Sequence, residues 1–271
     1  MDKFKQIFKT RNSVIGVIHF APLLGYMEYT NIDVILKRAL EDIKSLDGVD
    51  AVFIENNYDY PHKITVGPET VACMSILAHE IVKKSKVPVG ISVLWNDYKA
   101  ALTIAKVSGA KFVRVPVFVD RVKTNYGEAK GEPKAVIAHR KSINAEEVLL
   151  FTDIQVKHAM ILDKRSILAS ARLAIKNKSD GLIVTGKWTG DAPDLNELKK
   201  VRRAVGDFPI LIGSGVDYKN VKTLLEYADG VIVSTSLKTS NTRDKVNIRG
   251  YQDKIDRKKV QNFMRHFKAV V

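Results

Sequence analysis

The feature that most constrains this chain is a recurrence. Eight times along its 271 residues, a short apolar run is followed by a longer stretch of helical spacing. The apolar runs are 14–20, 51–55, 87–94, 111–118, 148–154, 181–185, and two late ones inside Pro209–Val216 and Gly230–Lys238. Runs this short and rich in Val and Ile read as parallel strands buried on both faces. Between them lie amphipathic stretches at 31–46, 69–84, 97–108, 134–141, 165–177, 194–205 and 217–227. In 31–46, for example, Ile32, Ile35, Leu36, Ala39, Leu40, Ile43 and Leu46 form one stripe of period 3.6. Strand starts fall 21 to 37 residues apart, the size of a βα unit. Alternation of this kind implies a parallel sheet with right-handed crossovers. Eight such units at this length imply a closed (β/α)₈ TIM barrel, expected as one domain over residues 1–271. An open doubly wound sheet is the other arrangement of the same units, and no G-x-G-x-x-G follows the first strand to support it.

Two outer helices are expected. Phe4, Ile7 and Phe8 within 2–10 have the spacing of a short helix that covers the barrel floor. Val260, Phe263, Met264 and Phe267 within 251–269 mark a closing helix. The stretch Val119–Lys134 reads as the longest irregular segment, and long loops of compact domains often serve as lids or binding loops.

The fold expectation places any site at the C-terminal ends of the strands. The first strand ends at His19, and the second at Glu55-Asn56 with Asp59 beyond. The third ends at Trp95-Asn96-Asp97 and the fourth carries Arg114. The fifth ends at Asp153, then Gln155, Lys157 and His158, and the sixth at Thr185-Gly186. The period of two puts Asp153, Gln155 and Lys157 on one face, provided the extended geometry continues. A charged residue flanked by strand hydrophobics, as Arg114 is, faces the mouth at lower cost than the dry helix layer.

Asp153, Lys157, His19, Glu55, Arg114 and Asp97 are therefore the candidate catalytic residues, and Lys157 is also a candidate Schiff-base amine. Each has a plainer reading: His19 as a satisfied core histidine, Glu55 with Arg114 as a structural ion pair, Asp97 as a helix cap, Lys157 as a surface lysine. Asn56, Asp59, Asn96, His158, Thr185 and Gly186 are candidate substrate contacts. Gly213-Ser214-Gly215 and Ser234-Thr235, at the ends of the last two strands, can form a phosphate cradle from amides and hydroxyls. The alternative there is a bare turn. His62, His79, His139 and His266 carry no such signal.

Composition bounds the partners. The net charge of +14 fits a phosphorylated small-molecule ligand, an anionic membrane surface or nucleic acid. The Lys and Arg are scattered, with no aromatic-studded basic strip, so nucleic acid is disfavoured while peripheral membrane association stays open. One cysteine, Cys73, excludes an intrachain disulfide and a zinc cluster, and its apolar helical surroundings suit a core thiol. No cofactor is expected. A divalent metal is compatible with His19, Glu55, Asp153 and His158 as ligand types, though their spacing is not diagnostic. With no signal-peptide core and no membrane-length apolar run, the expected location is the cytoplasm, and a homo-oligomer is the expected state.

The strand ends also resemble a known family. VIGVIHFAPLLG (14–25), IENNYDYP (54–61), VLWNDYKAAL (93–102), FVRVPVF (112–118), FTDIQVKHA (151–159), VTGKWTG (184–190), GSGV (213–216) and STSLK (234–238) follow the order of the BtpA/SgcQ family across nearly the whole chain. The resemblance implies a TIM barrel similar to phosphate-binding proteins. It implies pocket roles for His19, Glu55, Asn56, Asp59, Asn96, Asp97, Arg114, Asp153, Lys157 and His158. It also implies an assembly role in one setting, photosystem I biogenesis, and sugar or nucleotide metabolism in another. The chain departs from the family's pattern at Leu24, where the family has Pro, and at Ser234, where it has Gly. It departs again at Thr124-Asn125-Tyr126-Gly127, which lacks the family's acid, and at Val246-Asn247, where the family has Val-Asp.

Overall fold

The computed structural model describes residues 3–8, 11–240 and 250–270. Asp2, Lys9 and Thr10 of the expected floor helix and the Val246-Asn247 departure lie outside the described residues. In chain order the elements are α1 (Lys3–Ile7), β1 (Ser13–His19), α2 (Ile32–Ser45), β2 (Ala51–Glu55), α3 (Pro68–Lys84), β3 (Val89–Ser92), α4 (Tyr98–Ser108) and β4 (Phe112–Val115). There follow β5 (Arg121–Thr124), β6 (Gly127–Lys130), α5 (Pro133–Ser142), β7 (Leu149–Asp153), β8 (Met160–Ile161), α6 (Ile167–Lys176) and β9 (Gly181–Val184). The last are α7 (Leu195–Val205), β10 (Ile210–Ile212), α8 (Val221–Leu225), β11 (Gly230–Val233), a 3₁₀ turn at Thr235–Leu237, another at Gly250–Gln252, and α9 (Arg257–Val270).

Eight of the strands close into a parallel barrel in the order β1-β11-β10-β9-β7-β4-β3-β2. The TIM-barrel expectation holds, and the doubly wound alternative does not. Closure follows from the apolar character of both strand faces. Outward residues such as Val14, Val52, Ile91, Val113 and Leu150 pack under the helices in one core cluster. Inward residues Ile15, Val17, Phe53, Phe112, Leu149, Phe151, Ile183, Leu211 and Ile232 fill the barrel itself. A Cβ at Gly90 would sit 2.0 Å from the Phe112 ring, so the glycine makes room for that large inward side chain. From below, α1 inserts Phe4, and Phe8, just past the helix end, inserts beside it; the two stack at 4.6 Å and reach Phe151 and Phe112 at 6.0 and 5.6 Å. The barrel floor is thereby closed by aromatic packing.

Several boundaries differ from the sequence reading. The stretch Val119–Lys134 is not irregular: β5 and β6 form an antiparallel hairpin, and β8 joins them in a three-stranded sheet. Polar residues at Lys123, Glu128 and Lys130 mask the strand signal, while inward Val122 and Ala129 pack with Trp95, Val117 and Val156. This sheet stands beside the barrel mouth and holds the loop that follows β7. The expected helix over 217–227 shortens to Val221–Leu225, because Asp217 Oδ1 ties the amides of Lys219 and Asn220 into a turn. The closing helix begins at Arg257 rather than at 251, where Asp256 Oδ1 accepts from the amides of Lys258 and Lys259. Cys73 is a free, buried core thiol. Among the described residues no helix is long and apolar enough to cross a membrane.

Candidate active site at the barrel mouth

The inward register that places Val17, Phe53, Phe112 and Phe151 in the barrel places the next inward residue of each strand one layer higher. Those residues are His19, Glu55, Arg114 and Asp153, with Ser92 from β3. A single periodicity thus builds an apolar floor and a polar ceiling. Arg114 forks onto Asp153, with Nε to Oδ1 at 2.9 Å and Nη2 to Oδ2 at 2.8 Å. Its Nη1 lies 3.5 Å from Glu55 Oε2. Ser92 Oγ donates to that same oxygen at 2.7 Å, and His19 Nε2 faces Oε1 at 3.5 Å. Burial opposes the charge on Arg114, but Asp153 and Glu55 raise its pKa overall, so it stays a cation.

Two lysines flank this network. Lys157 is partly buried beside Thr189, whose Oγ1 is 3.5 Å from Nζ, and its amide donates to Thr185 Oγ1 at 3.1 Å. Burial lowers its pKa to about 8; Arg114 adds to the push, while Glu55, Asp153 and Asp191 oppose it. It is therefore no free surface lysine, and its burial favours the uncharged amine. Lys238, just past the Thr235–Leu237 turn, sends Nζ to 3.0 Å from His19 Nδ1 and 2.9 Å from Tyr58 Oη. Burial brings it to about 8 as well, against the pull of Asp253, Asp42 and Glu55. His19 is held well below the usual histidine range, first by burial and then by Lys238, Lys157 and Arg114. It is a neutral imidazole.

Not every expected residue joins this cluster. Asp97 uses Oδ1 to cap α4 at the Ala100 amide, 2.9 Å, and Oδ2 to hold the Val66 amide, 3.0 Å. Both of its oxygens are thus engaged by backbone amides, one of them as the cap of α4. Asn96 clamps Val117, accepting from its amide at 2.7 Å and donating to its carbonyl at 3.1 Å. Asn56 does the same for Leu94, and Asp59 holds the Leu23 amide at 2.8 Å. Burial lifts the Asp59 carboxyl to about 6, against the amide of Leu23 and the side chain of Asn56. These three brace the loops above the barrel. Gln155 leaves the shared face, because the strand ends at Asp153 and Gln155 turns with φ +51° to donate to the Arg165 carbonyl. His158, at φ +58°, meets Thr189 Oγ1 at 2.8 Å and the Trp188 ring edge-on. Burial and Lys157 lower its pKa to about 4. Among the described residues no group of three or more His, Cys, Asp or Glu gathers as a metal site. Between Glu55 and Asp153 lies the guanidinium of Arg114.

The two glycine- and hydroxyl-bearing turns come together as one wall of the mouth. Ser236 Oγ donates to the Val216 carbonyl at 2.9 Å and joins them. Ser214 Oγ accepts from the Gly186 amide at 3.0 Å and donates to the Asp191 carbonyl at 2.7 Å, tying in the loop after β9. Its hydroxyl is thus committed within the protein. Gly215 has φ +68°, and a Cβ there would lie 2.0 Å from the Ala192 nitrogen, so only glycine fits. Among the described residues, the amides of Ser214, Gly215 and Thr235 meet no protein acceptor. Ser234 Oγ is buried without a hydrogen-bond partner.

Lys238, Tyr58, Ser92 and Asp191 escaped the sequence reading. For Ser92 the signal was available, since it shares the inward register with Glu55 and Arg114. Tyr58 and Lys238 lie past their strand ends, in loops where no periodicity applies.

Solved structures with a similar fold include N-(5'-phosphoribosyl)anthranilate isomerase from Pyrococcus furiosus, with a TM-score of 0.55 and 15% identity over 96% of this chain and 100% of that one. A native KDPGal structure gives a TM-score of 0.57 and 11% identity over 96% and 97% of the two chains. Such low identities speak for the fold alone. Sequence relatives are far nearer. An uncharacterized protein of Archaeoglobus fulgidus is 36% identical over 239 residues, 88% of this chain and 96% of its own. The photosystem I biogenesis protein BtpA of Synechocystis is 36% identical over 243 residues, 88% of this chain and 84% of its own. The sequence profile of the BtpA family matches residues 10–269, and with these relatives it establishes that the chain belongs to the BtpA family.

Proposed function

We propose that this chain is an enzyme that binds a phosphorylated small molecule, a sugar phosphate or a nucleotide, at the barrel mouth and moves a proton on it. The observation that carries the reading is the buried, partnerless Ser234 Oγ beside a glycine turn with unsatisfied amides. A buried hydroxyl without a partner costs on the order of 1–3 kcal/mol. A phosphate oxygen seated on the turn amides, with the Ser234 hydroxyl rotated toward it, would recover that cost.

The proton carriers in this reading are Lys157 and the His19–Glu55 pair. Asp153 serves differently from the sequence expectation: with both oxygens on Arg114, it orients the guanidinium rather than accepting a proton. Lys157, lowered to about 8, also has the free-amine fraction that Schiff-base formation requires. Isomerase, lyase, phosphorylase and hydrolase chemistry all use such a set.

The test is a thermal-shift screen with inorganic phosphate, pentose and hexose phosphates, and nucleotides, on the parent and on Ser234→Ala. A ligand at a hundred times its Kd adds about 2.7 kcal/mol of stability. A shift with one class that shrinks in Ser234→Ala supports the reading. No shift with any phosphate sinks it.

A second reading is a non-catalytic assembly factor, in line with the biogenesis role in the name of the Synechocystis relative, here one that docks on an anionic membrane surface. The net charge of +14 favours it. It requires salt-sensitive co-sedimentation with anionic vesicles that is indifferent to Lys157→Met; absence of binding at low salt removes it.

A further inference from the structure

Lys238 stands at the end of the 3₁₀ turn that follows β11, and its side chain reaches back into the mouth. Its backbone is fixed there, since Lys238 pairs with Ile255 in a β-bridge and its carbonyl accepts from Lys259 Nζ at 2.6 Å. Among the described residues, Nζ has two near neighbours, His19 Nδ1 at 3.0 Å and Tyr58 Oη at 2.9 Å. An ammonium only donates, so a neutral His19 must accept at Nδ1. The ring proton then resides on Nε2, which points at Glu55 Oε1 across 3.5 Å. Tyr58 meets the His19 ring edge-on, with centroids 5.7 Å apart at 85°, and limits the ring's freedom to turn.

We infer that Lys238 is a positioning residue of the mouth: it locks His19 as the neutral Nε2–H tautomer, aimed at Glu55. The charges that face this pair come from every side. Asp253, Asp42 and Glu55 favour the Lys238 ammonium and Arg38 opposes it. Lys157 and Arg114 add to Lys238 in opposing an imidazolium at His19. A locked, neutral donor orients the Glu55 carboxylate without cancelling its charge, which an imidazolium would do. That consequence for proton transfer rests on the catalytic reading of the mouth; the tautomer itself does not.

The experiment is a long-range ¹H–¹⁵N spectrum of the full chain carrying ¹⁵N-histidine, with His19 assigned by its loss in His19→Gln. In the parent, His19 is expected as the Nε2–H tautomer, without titration between about pH 5.5 and 7.5. In Lys238→Met it is expected to mix tautomers and to titrate. Lys238→Arg, which keeps a donor, is expected to restore the parent pattern. A parent His19 that is the Nδ1–H tautomer or charged at neutral pH overturns the inference, whether or not any variant folds. So does a folded Lys238→Met with unchanged His19 signals. A phosphate thermal shift on the same samples separates the two ideas: loss of the tautomer with the shift intact leaves the phosphate reading standing, and a missing shift with the tautomer in place leaves this one.

Discussion

Arg114 and Asp153 face each other across adjacent strands β4 and β7, joined by two parallel hydrogen bonds of 2.9 and 2.8 Å inside the barrel mouth. Such a fork fixes both side chains, and it leaves Arg114 with only a longer, 3.5 Å approach to Glu55. Removing the guanidinium would strand two carboxylates in a poorly solvated space. Arg114→Met is therefore expected to destabilise the chain by about 3–5 kcal/mol in urea unfolding. Arg114→Met with Asp153→Leu should recover much of that loss, because no uncompensated charge then remains at that pair. A double variant as unstable as the single one would show that the fork is not the source of the cost.

Ser234→Ala separates binding from folding. Its hydroxyl is buried and unpartnered, so removing it should leave the free protein unchanged or more stable by up to about 1 kcal/mol. The same change should weaken any protection by a phosphorylated ligand. Urea midpoints with and without ligand read both effects. A variant that loses stability but keeps its ligand response would mean that the hydroxyl serves the fold.

Lys157 and Lys238 make stability depend on alkaline pH. Each has a folded pKa near 8, lowered by burial from its ordinary value. Between about pH 8 and 10 the unfolded chain binds more protons, so stability rises with pH through that window. The cost of burying the ammonium is fully present below about pH 8. At about 1.4 kcal/mol per unit, each lysine contributes on the order of 1–2 kcal/mol by pH 9.5. Lys157→Met and Lys238→Met should each flatten the rise. A parent whose stability falls over the same range would contradict the burial of both amines.

Phe8 provides a control at the far end of the barrel. It is fully buried and stacks on Phe4 against the inward rings of Phe112 and Phe151. Phe8→Ala is expected to cost about 3–5 kcal/mol in unfolding free energy. Binding at the mouth should be untouched at temperatures where the variant is folded. A change in ligand affinity would indicate that floor and ceiling are coupled through the barrel interior.

The sequence by itself determined the barrel and its inner layers. Strands buried on both faces leave no periodicity to hide a polar residue, so Glu55, Arg114 and Asp153 stand out where the apolar runs end. The alternation of side chains along β2, β4 and β7 then sends them inward over Phe53, Phe112 and Phe151. The same reasoning reached His19 and the glycine turn at 213–215. It failed where local pattern and long-range contact diverge. The β5–β6 hairpin looked irregular because only its Val122 and Ala129 side is buried, against a cluster that includes Trp95 and Val156 from distant loops. Gln155 was expected on one extended face with Asp153 and Lys157, yet it turns to positive φ, and its side chain is captured by the Arg165 carbonyl. Asp97, Asn96, Asn56 and Asp59 have the residue types of a catalytic set, and only the structure shows their oxygens committed to amides of loops far away in sequence. Lys238 reaches His19 across 219 positions. No spacing rule relates residues that far apart: barrel closure of β11 against β1 creates the contact, and closure is a property of the whole sheet.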